Sequence, residues 1–182
     1  MSKVYVFLAD GFEEVEGLTS VDLLRRAGAD LETVSIMGRK EIQGAHGIKV
    51  EADLVLEDGL EEADLMILPG GMPGTHHLRD HEGLADILKG QYEAGRMVAA
   101  ICAAPLVLAG LGFLKDRRAT SYPGCLEGLP VGEYLEEEVV VDGHITTSRG
   151  VGTAIPFALT LISRLFGQDK ADAVAKSIIY KG

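Results

Sequence analysis

Met97-Val98-Ala99-Ala100-Ile101-Cys102-Ala103-Ala104-Pro105 is the stretch on which the reading of this chain turns. Its five leading apolar residues read as a strand buried on both faces, as in a parallel sheet. The run stops at a cysteine, crosses two small residues and meets Pro105, a residue type favoured at the first position of a helix. A strand that passes at once into a helix puts the Cys102 sulfur on a tight turn, as in nucleophile elbows. Unpaired amides and the helix dipole there favour the thiolate, so a lowered thiol pKa is expected. The competing reading is a buried cysteine acting as a small hydrophobe, the ordinary role of a free cysteine.

Outward from this stretch, short apolar runs alternate with helical patterns, which predicts an α/β fold with a mainly parallel sheet and helical crossovers. Val4 to Ala9 reads as the first strand, Asp10 to Glu14 as a turn, and Val15 to Ala27 as a helix closed by Gly28. Leu31 to Met37 is the next strand, and Ile48 to Ala52 is expected near a sheet edge. Leu65 to Leu68 is a buried strand halted by Pro69-Gly70-Gly71, and Leu84 to Glu93 is a helix ending at Gly95. Val139 to Val141, Asp142-Gly143 and Ile145 to Thr147 read as a hairpin. Helices near Thr153 to Phe166 and Lys170 to Ile179 finish the chain.

The 182 residues suit one domain, residues 1–182, with 47% hydrophobic content and 23 glycines. Seventeen basic against 28 acidic residues give a formal charge of -11, which opposes general nucleic-acid binding and anionic membranes. Two cysteines do not make a disulfide framework, and no ligand cluster of zinc-finger spacing surrounds them. With no basic-then-apolar leader and no apolar stretch of membrane-spanning length, the expected location is cytoplasmic.

In a sheet of this kind ligands bind beyond the carboxyl ends of the strands. Three strand ends carry suggestive residues: Asp10 to Glu16, Gly70-Gly71 and Cys102. If the strands are neighbours, the amides of Gly70, Gly71 and Ala103 could form an oxyanion hole, although Pro-Gly-Gly is also an ordinary turn. Glu13 and Glu14 read as solvated residues of a first helical turn, complementing its dipole. Glu16 differs, because Val15, Leu18 and Val21 place apolar residues around it. A carboxyl in such a setting beside a thiolate is expected to stay protonated, to hydrogen-bond the sulfur and to shuttle protons.

Five blocks together resemble the ThiJ/PfpI superfamily, and within it the DJ-one branch: Leu8 to Glu16, Val21 to Gly28, Leu68 to Gly71, Ala99 to Pro105 and Thr147 to Gly150. The resemblance implies a flavodoxin-like three-layer sandwich and a homodimer. It implies further that Cys102 is a nucleophilic, oxidation-sensitive residue with Glu16 as its protonated partner, and that Gly70, Gly71 and Ala103 surround the sulfur. Two positions depart from related patterns. The superfamily's peptidase-like members carry a histidine after the cysteine, where this chain has Ala103, which argues against a protease. Some DJ-one proteins carry a histidine in the loop matching Ser121-Tyr122-Pro123; a Tyr122 phenol titrates too high to act as a base near neutrality and is better suited to orienting a substrate oxygen. The five histidines, His46, His76, His77, His81 and His144, read as surface residues, with His46 near the expected dimer interface.

The activities that the resemblance implies are a cofactor-free glyoxalase acting on small carbonyls such as methylglyoxal and a deglycase. The alternative is a redox sensor or stress chaperone whose cysteine is oxidised to sulfinate. No metal or cofactor is expected. Cys125, after Tyr122-Pro123-Gly124, is either a resolving thiol for Cys102 or an incidental loop cysteine.

Overall fold

In a computed structural model that describes residues 2–182, the buried runs of the sequence become strands of one sheet. In chain order the elements are β1 (Lys3–Leu8), α1 (Glu14–Ala27), β2 (Asp30–Ser35), β3 (Glu41–Gln43), β4 (Lys49–Glu51), β5 (Leu54–Val55), β6 (Leu65–Leu68), α2 (Gly74–Asp80), α3 (Glu82–Glu93) and β7 (Met97–Ile101). There follow α4 (Pro105–Gly110), β8 (Arg118–Ala119), β9 (Glu133–Tyr134), β10 (Val139–Asp142), β11 (Ile145–Ser148), α5 (Ala154–Phe166) and α6 (Gln168–Ser177). Seven strands form the main sheet in the order β10-β11-β7-β6-β1-β2-β5, and only the β10–β11 pair is antiparallel.

The period of two along each strand divides the core into two halves. Val4, Val6 and Leu8 of β1, with Leu65 and Ile67 of β6, share one half of the core with Leu24 of α1, Phe157 and Leu161 of α5, and Val174 of α6. Tyr5 and Phe7, with Met66, Leu68 and Ala100, face the other layer through Leu78, Leu84 and Leu108. The result is the expected flavodoxin-like three-layer arrangement. Truncating one of these fully buried leucines to alanine typically costs about 2–5 kcal/mol.

Two local predictions need correction. The Ile48 to Ala52 stretch does not border the main sheet: β4 pairs with β3 as a separate antiparallel ribbon, and the short β5 takes the edge beside β2. α2 was not foreseen, because Gly74-Thr75-His76-His77 has no apolar helical stripe beyond Leu78.

The order β7-β6-β1 has the most direct bearing on the site. It makes neighbours of the three strands whose ends carry Cys102, Gly70-Gly71 and Asp10 to Glu16.

Candidate active site

Cys102 lies just beyond β7 with φ 64°, a left-handed conformation that a residue with a Cβ adopts only under constraint. The constraint is visible on both sides. Its amide donates to the Ser148 carbonyl at 3.0 Å, and its own carbonyl accepts from the Tyr122 amide at 2.8 Å. The turn closes with Ala104 N–H donating to Ile101 O at 3.1 Å, and α4 starts at Pro105 as the sequence predicts.

Glu16 occupies the first turn of α1, whose N-cap Glu13 accepts the Glu16 amide at 2.9 Å. Its side chain is fully buried. Oε2 accepts from the Gly70 amide at 2.9 Å, while Oε1 is buried with no hydrogen-bond partner of regular geometry. A Cβ on Gly70 would lie 2.7 Å from both Cys102 Cβ and Glu16 Oε2, so only glycine lets the cysteine and the carboxyl meet here. Val15 and Leu18, expected to shelter Glu16, are 47% and 37% exposed. On a helix residues one and two apart point to different sides, so these two flank Glu16 without covering it. The Gly70 turn and Cys102 enclose it instead.

Burial pushes the Glu16 carboxyl up to about 7, with its contacts to Cys102 and the Gly70 amide resisting the rise. Burial also pushes the Cys102 thiol up, and the neighbouring Glu16 charge adds to the effect, against a smaller opposing hydrogen bond from the Ala103 amide. The expectation of a lowered thiol pKa is therefore reversed, because α4 has only six residues and desolvation outweighs what its terminus offers. Near neutrality the Glu16 carboxyl therefore exchanges between its protonated and ionised forms, while burial and the neighbouring Glu16 charge keep the resting proton on the Cys102 sulfur.

The Gly70 amide points at Glu16 rather than into open space, which takes it out of the expected oxyanion hole. Gly71, at φ 91°, lines the cleft beside Cys102; a Cβ there would meet the Glu13 amide at 2.3 Å. The Ala103 amide donates toward the sulfur, and Gly71 lines the same cleft. Tyr122 is 55% exposed and borders the same cleft. Cys125 and Cys102 are both free thiols.

The open cleft, of ≈ 690 Å³, also takes in Glu13, His46, Arg149 and the Gly150 to Thr153 turn. In the sequence nothing beyond the Thr147 to Gly150 block marks Arg149. It brings a cation to the cleft, and its guanidinium donates to Ser121 O and to Tyr134 Oη, both at 3.2 Å. Glu14 contradicts the solvated reading. It is 3% exposed and accepts from the His46 amide at 2.7 Å, with His46 Nδ1 at 2.8 Å. Burial alone would raise its carboxyl, but these hydrogen bonds hold it below the usual carboxylate range. Glu13, Glu14 and His46 bring ligand-type atoms within 4.8 Å of one another, with the Glu14 oxygens already engaged by these donors. His144 is not a surface residue either: its ring stands 4.7 Å from that of Tyr92, and burial depresses its pKa. His81 Nδ1 caps α3 by accepting from Leu84 N–H at 3.1 Å.

Comparison with known proteins places this geometry in context. The family model described as DJ-1/PfpI family matches residues 2–164. Protein DJ-1 homolog A of Arabidopsis thaliana is 40% identical over 182 residues, covering 98% of this chain and 46% of that protein, so the chain spans about half of that relative. A protein named deglycase from Pyrococcus abyssi is 35% identical over 153 residues, covering 82% of this chain and 91% of the other. The structure of oxidized Toxoplasma gondii DJ-1 superposes with a TM-score of 0.96 at 35% identity, covering 100% of both chains. No helix among the described residues is long and apolar enough to cross a membrane.

Proposed function

The chain belongs to the DJ-1/PfpI family, and from that premise we propose that it is a cofactor-free enzyme of the glyoxalase or deglycase type, acting on small reactive carbonyls with Cys102 as nucleophile. The observation that carries the reading is the Glu16 carboxyl, fully buried beside Cys102 and poised at about 7. A group with its pKa near the working pH both accepts and returns a proton efficiently.

With methylglyoxal as the example, Glu16 as carboxylate takes the thiol proton while sulfur attacks the aldehyde carbon. The carbonyl oxygen becomes the hydroxyl of a hemithioacetal, stabilised during attack by the Gly71 and Ala103 amides. Glu16 returns that first proton to the oxygen, then removes the hydrogen on the former aldehyde carbon as a proton and gives it to the ketone oxygen, forming the enediol; it next takes the proton of the C1 hydroxyl as the C1 carbonyl forms and delivers it to C2. The product is a thioester of a 2-hydroxy acid. Water cleaves it, releasing lactate and regenerating the thiol. Tyr122 orients the substrate oxygen, and Arg149 supplies positive potential to the leaving carboxylate. The protein acts as a cytoplasmic homodimer in this reading.

The test is methylglyoxal turnover in deuterated water. Proton shuttling through an exchangeable carboxyl predicts deuterium at C2 of the lactate and no turnover in Cys102→Ser. Persistent turnover in that variant would remove the nucleophile from the proposal.

A second reading is supported by the partial exposure of Cys102 and by a relative's structure described as oxidized. Here peroxide converts the thiol to sulfenate and then sulfinate, which a protonated Glu16 holds in place. Turnover and sulfenate formation measured on one reduced sample rank the two readings. Mass spectrometry after mild peroxide assigns Cys125: a Cys102 to Cys125 bridge makes it a resolving thiol, while sulfinate on Cys102 alone makes it a bystander.

A further inference from the structure

The peptide that joins Ser121 to Tyr122 is held at both ends. Its N–H donates to the Cys102 carbonyl at 2.8 Å, while its own carbonyl accepts from Arg149 Nε at 3.2 Å and from Tyr134 Oη at 3.4 Å. Arg149 Nη2 donates in turn to Tyr134 Oη at 3.2 Å, which closes a triangle on that one carbonyl. Strand pairing brings the parts together: β8 and β9 set Tyr134 opposite Ala119, two residues before Ser121, and Leu135 N–H donates to Ala119 O at 2.9 Å. Ser121 is fully buried, and the Arg149 guanidinium is turned onto neutral oxygens. A charged donor on a carbonyl polarises the peptide and strengthens its N–H as a donor. The bond strengthened here ends on Cys102, whose φ of 64° has to be enforced by its surroundings. Tyr134 itself stands outside the lining of the Cys102 cleft.

We propose that Tyr134 and Arg149 are positioning residues, which act through the Ser121–Tyr122 peptide to keep Cys102 in its left-handed turn with the sulfur beside Glu16. A turn released from this clamp relaxes and carries the sulfur away from the carboxyl, while the walls of the cleft stay in place. The loss then falls on kcat rather than on KM. The inference rests on Cys102 as the nucleophile, but both the peptide's hydrogen bond and the reactivity of the thiol can be read without carbonyl turnover.

The test is Tyr134→Phe in the full chain, which keeps the ring and removes the oxygen that anchors the guanidinium. The Tyr122 amide proton is expected to move upfield in NMR, and kcat for methylglyoxal to fall about tenfold with KM within about twofold. Alkylation of Cys102 by iodoacetamide at neutral pH, followed by mass spectrometry, should slow by a similar factor, because Glu16 no longer reaches the thiol proton. Arg149→Lys keeps the charge at the cleft but loses the planar fork, and should repeat these changes. A folded Tyr134→Phe with wild-type kcat, alkylation rate and Tyr122 shift overturns the proposal, even if its stability is lower. A rise in KM at unchanged kcat overturns it as well, since Tyr134 would then act on substrate binding. Turnover that persists in Cys102→Ser overturns the nucleophile reading instead, and the amide shift and alkylation rate still decide the clamp.

Discussion

Glu14 and Glu16 stand two residues apart in the first turn of α1, and both are buried, yet their protons behave oppositely. Glu14 is met by the His46 amide and ring and is held ionised, while Glu16 has one amide, an orphaned oxygen and a thiol, and is driven toward the protonated form. Burial is common to both, so burial alone does not set the role. The number of donors that the fold delivers to each carboxyl does. Glu14 ties the β3–β4 ribbon to α1, while Glu16 is left with a single amide donor beside the Cys102 thiol.

The sharpest break of this comparison is Glu16→Gln. The amide keeps the size of the side chain but cannot take a proton, so methylglyoxal turnover should fall by about 10²–10⁴-fold, and Glu16→Ala should fall as far. Stopped-flow consumption of the aldehyde measures it, with circular dichroism confirming the fold. Wild-type turnover in Glu16→Gln would show that the raised carboxyl has no catalytic use.

Stability should move the other way. A carboxyl whose folded pKa is raised from 4.5 to about 7 stabilises the fold below its unfolded pKa, and that contribution is lost as pH rises through about 7. At pH 8 the wild type carries the full penalty of an ionised, desolvated Glu16, up to about 3 kcal/mol from a shift of this size. Glu16→Gln escapes it. The variant is expected to be more stable than the wild type at pH 8 in urea titrations, with the difference closing toward pH 4.5. A variant less stable at pH 8 would mean that the carboxylate is better satisfied than its lone amide contact suggests.

Glu14→Gln should show the opposite slope. A depressed carboxyl contributes stability above its unfolded pKa and loses it as pH falls through the folded value, which lies below 4.5. Replacing it leaves the His46 and Ile48 amides a weaker acceptor and is expected to cost about 1–3 kcal/mol at neutral pH. The deficit should shrink in acid. Parallel pH slopes for the two variants would dissolve the distinction between these carboxyls.

How much of this was legible in the sequence follows from how local each signal is. The sheet was readable because Val4 to Ala9, Leu65 to Leu68 and Met97 to Ile101 are unbroken apolar runs, and the elbow because Cys102 is followed by small residues and Pro105. Glu16 was singled out, but on neighbours that turn away from it; its real enclosure comes from Gly70, 54 residues along the chain. Glu14 was misread for the same reason. A first-turn acid looks like dipole compensation, and nothing local announces that residues 44–48 fold back to bury it. Arg149 and its contact with Tyr134 depend on loops and short strands, where periodicity is silent.

The smallest effect should come from His46→Ala, which removes the imidazole while keeping the backbone amide on Glu14. The hydrogen bond to Glu14 raises the His46 pKa, and the Glu14 and Glu13 charges act in the same sense. The imidazolium therefore supports the ionised Glu14 at and below neutrality. The side chain is 68% exposed, so solvent screens most of the pairing. Its loss should move the midpoint of acid unfolding upward by less than about one pH unit, because Glu14 then protonates earlier with only amides to hold it. Turnover should stay within about twofold, since Glu16 keeps its Gly70 contact and its thiol. If the acid midpoint stays put, the amides alone hold Glu14 ionised. A large fall in turnover would place His46 among the groups that meet the substrate and tie the two carboxyls into one functional unit.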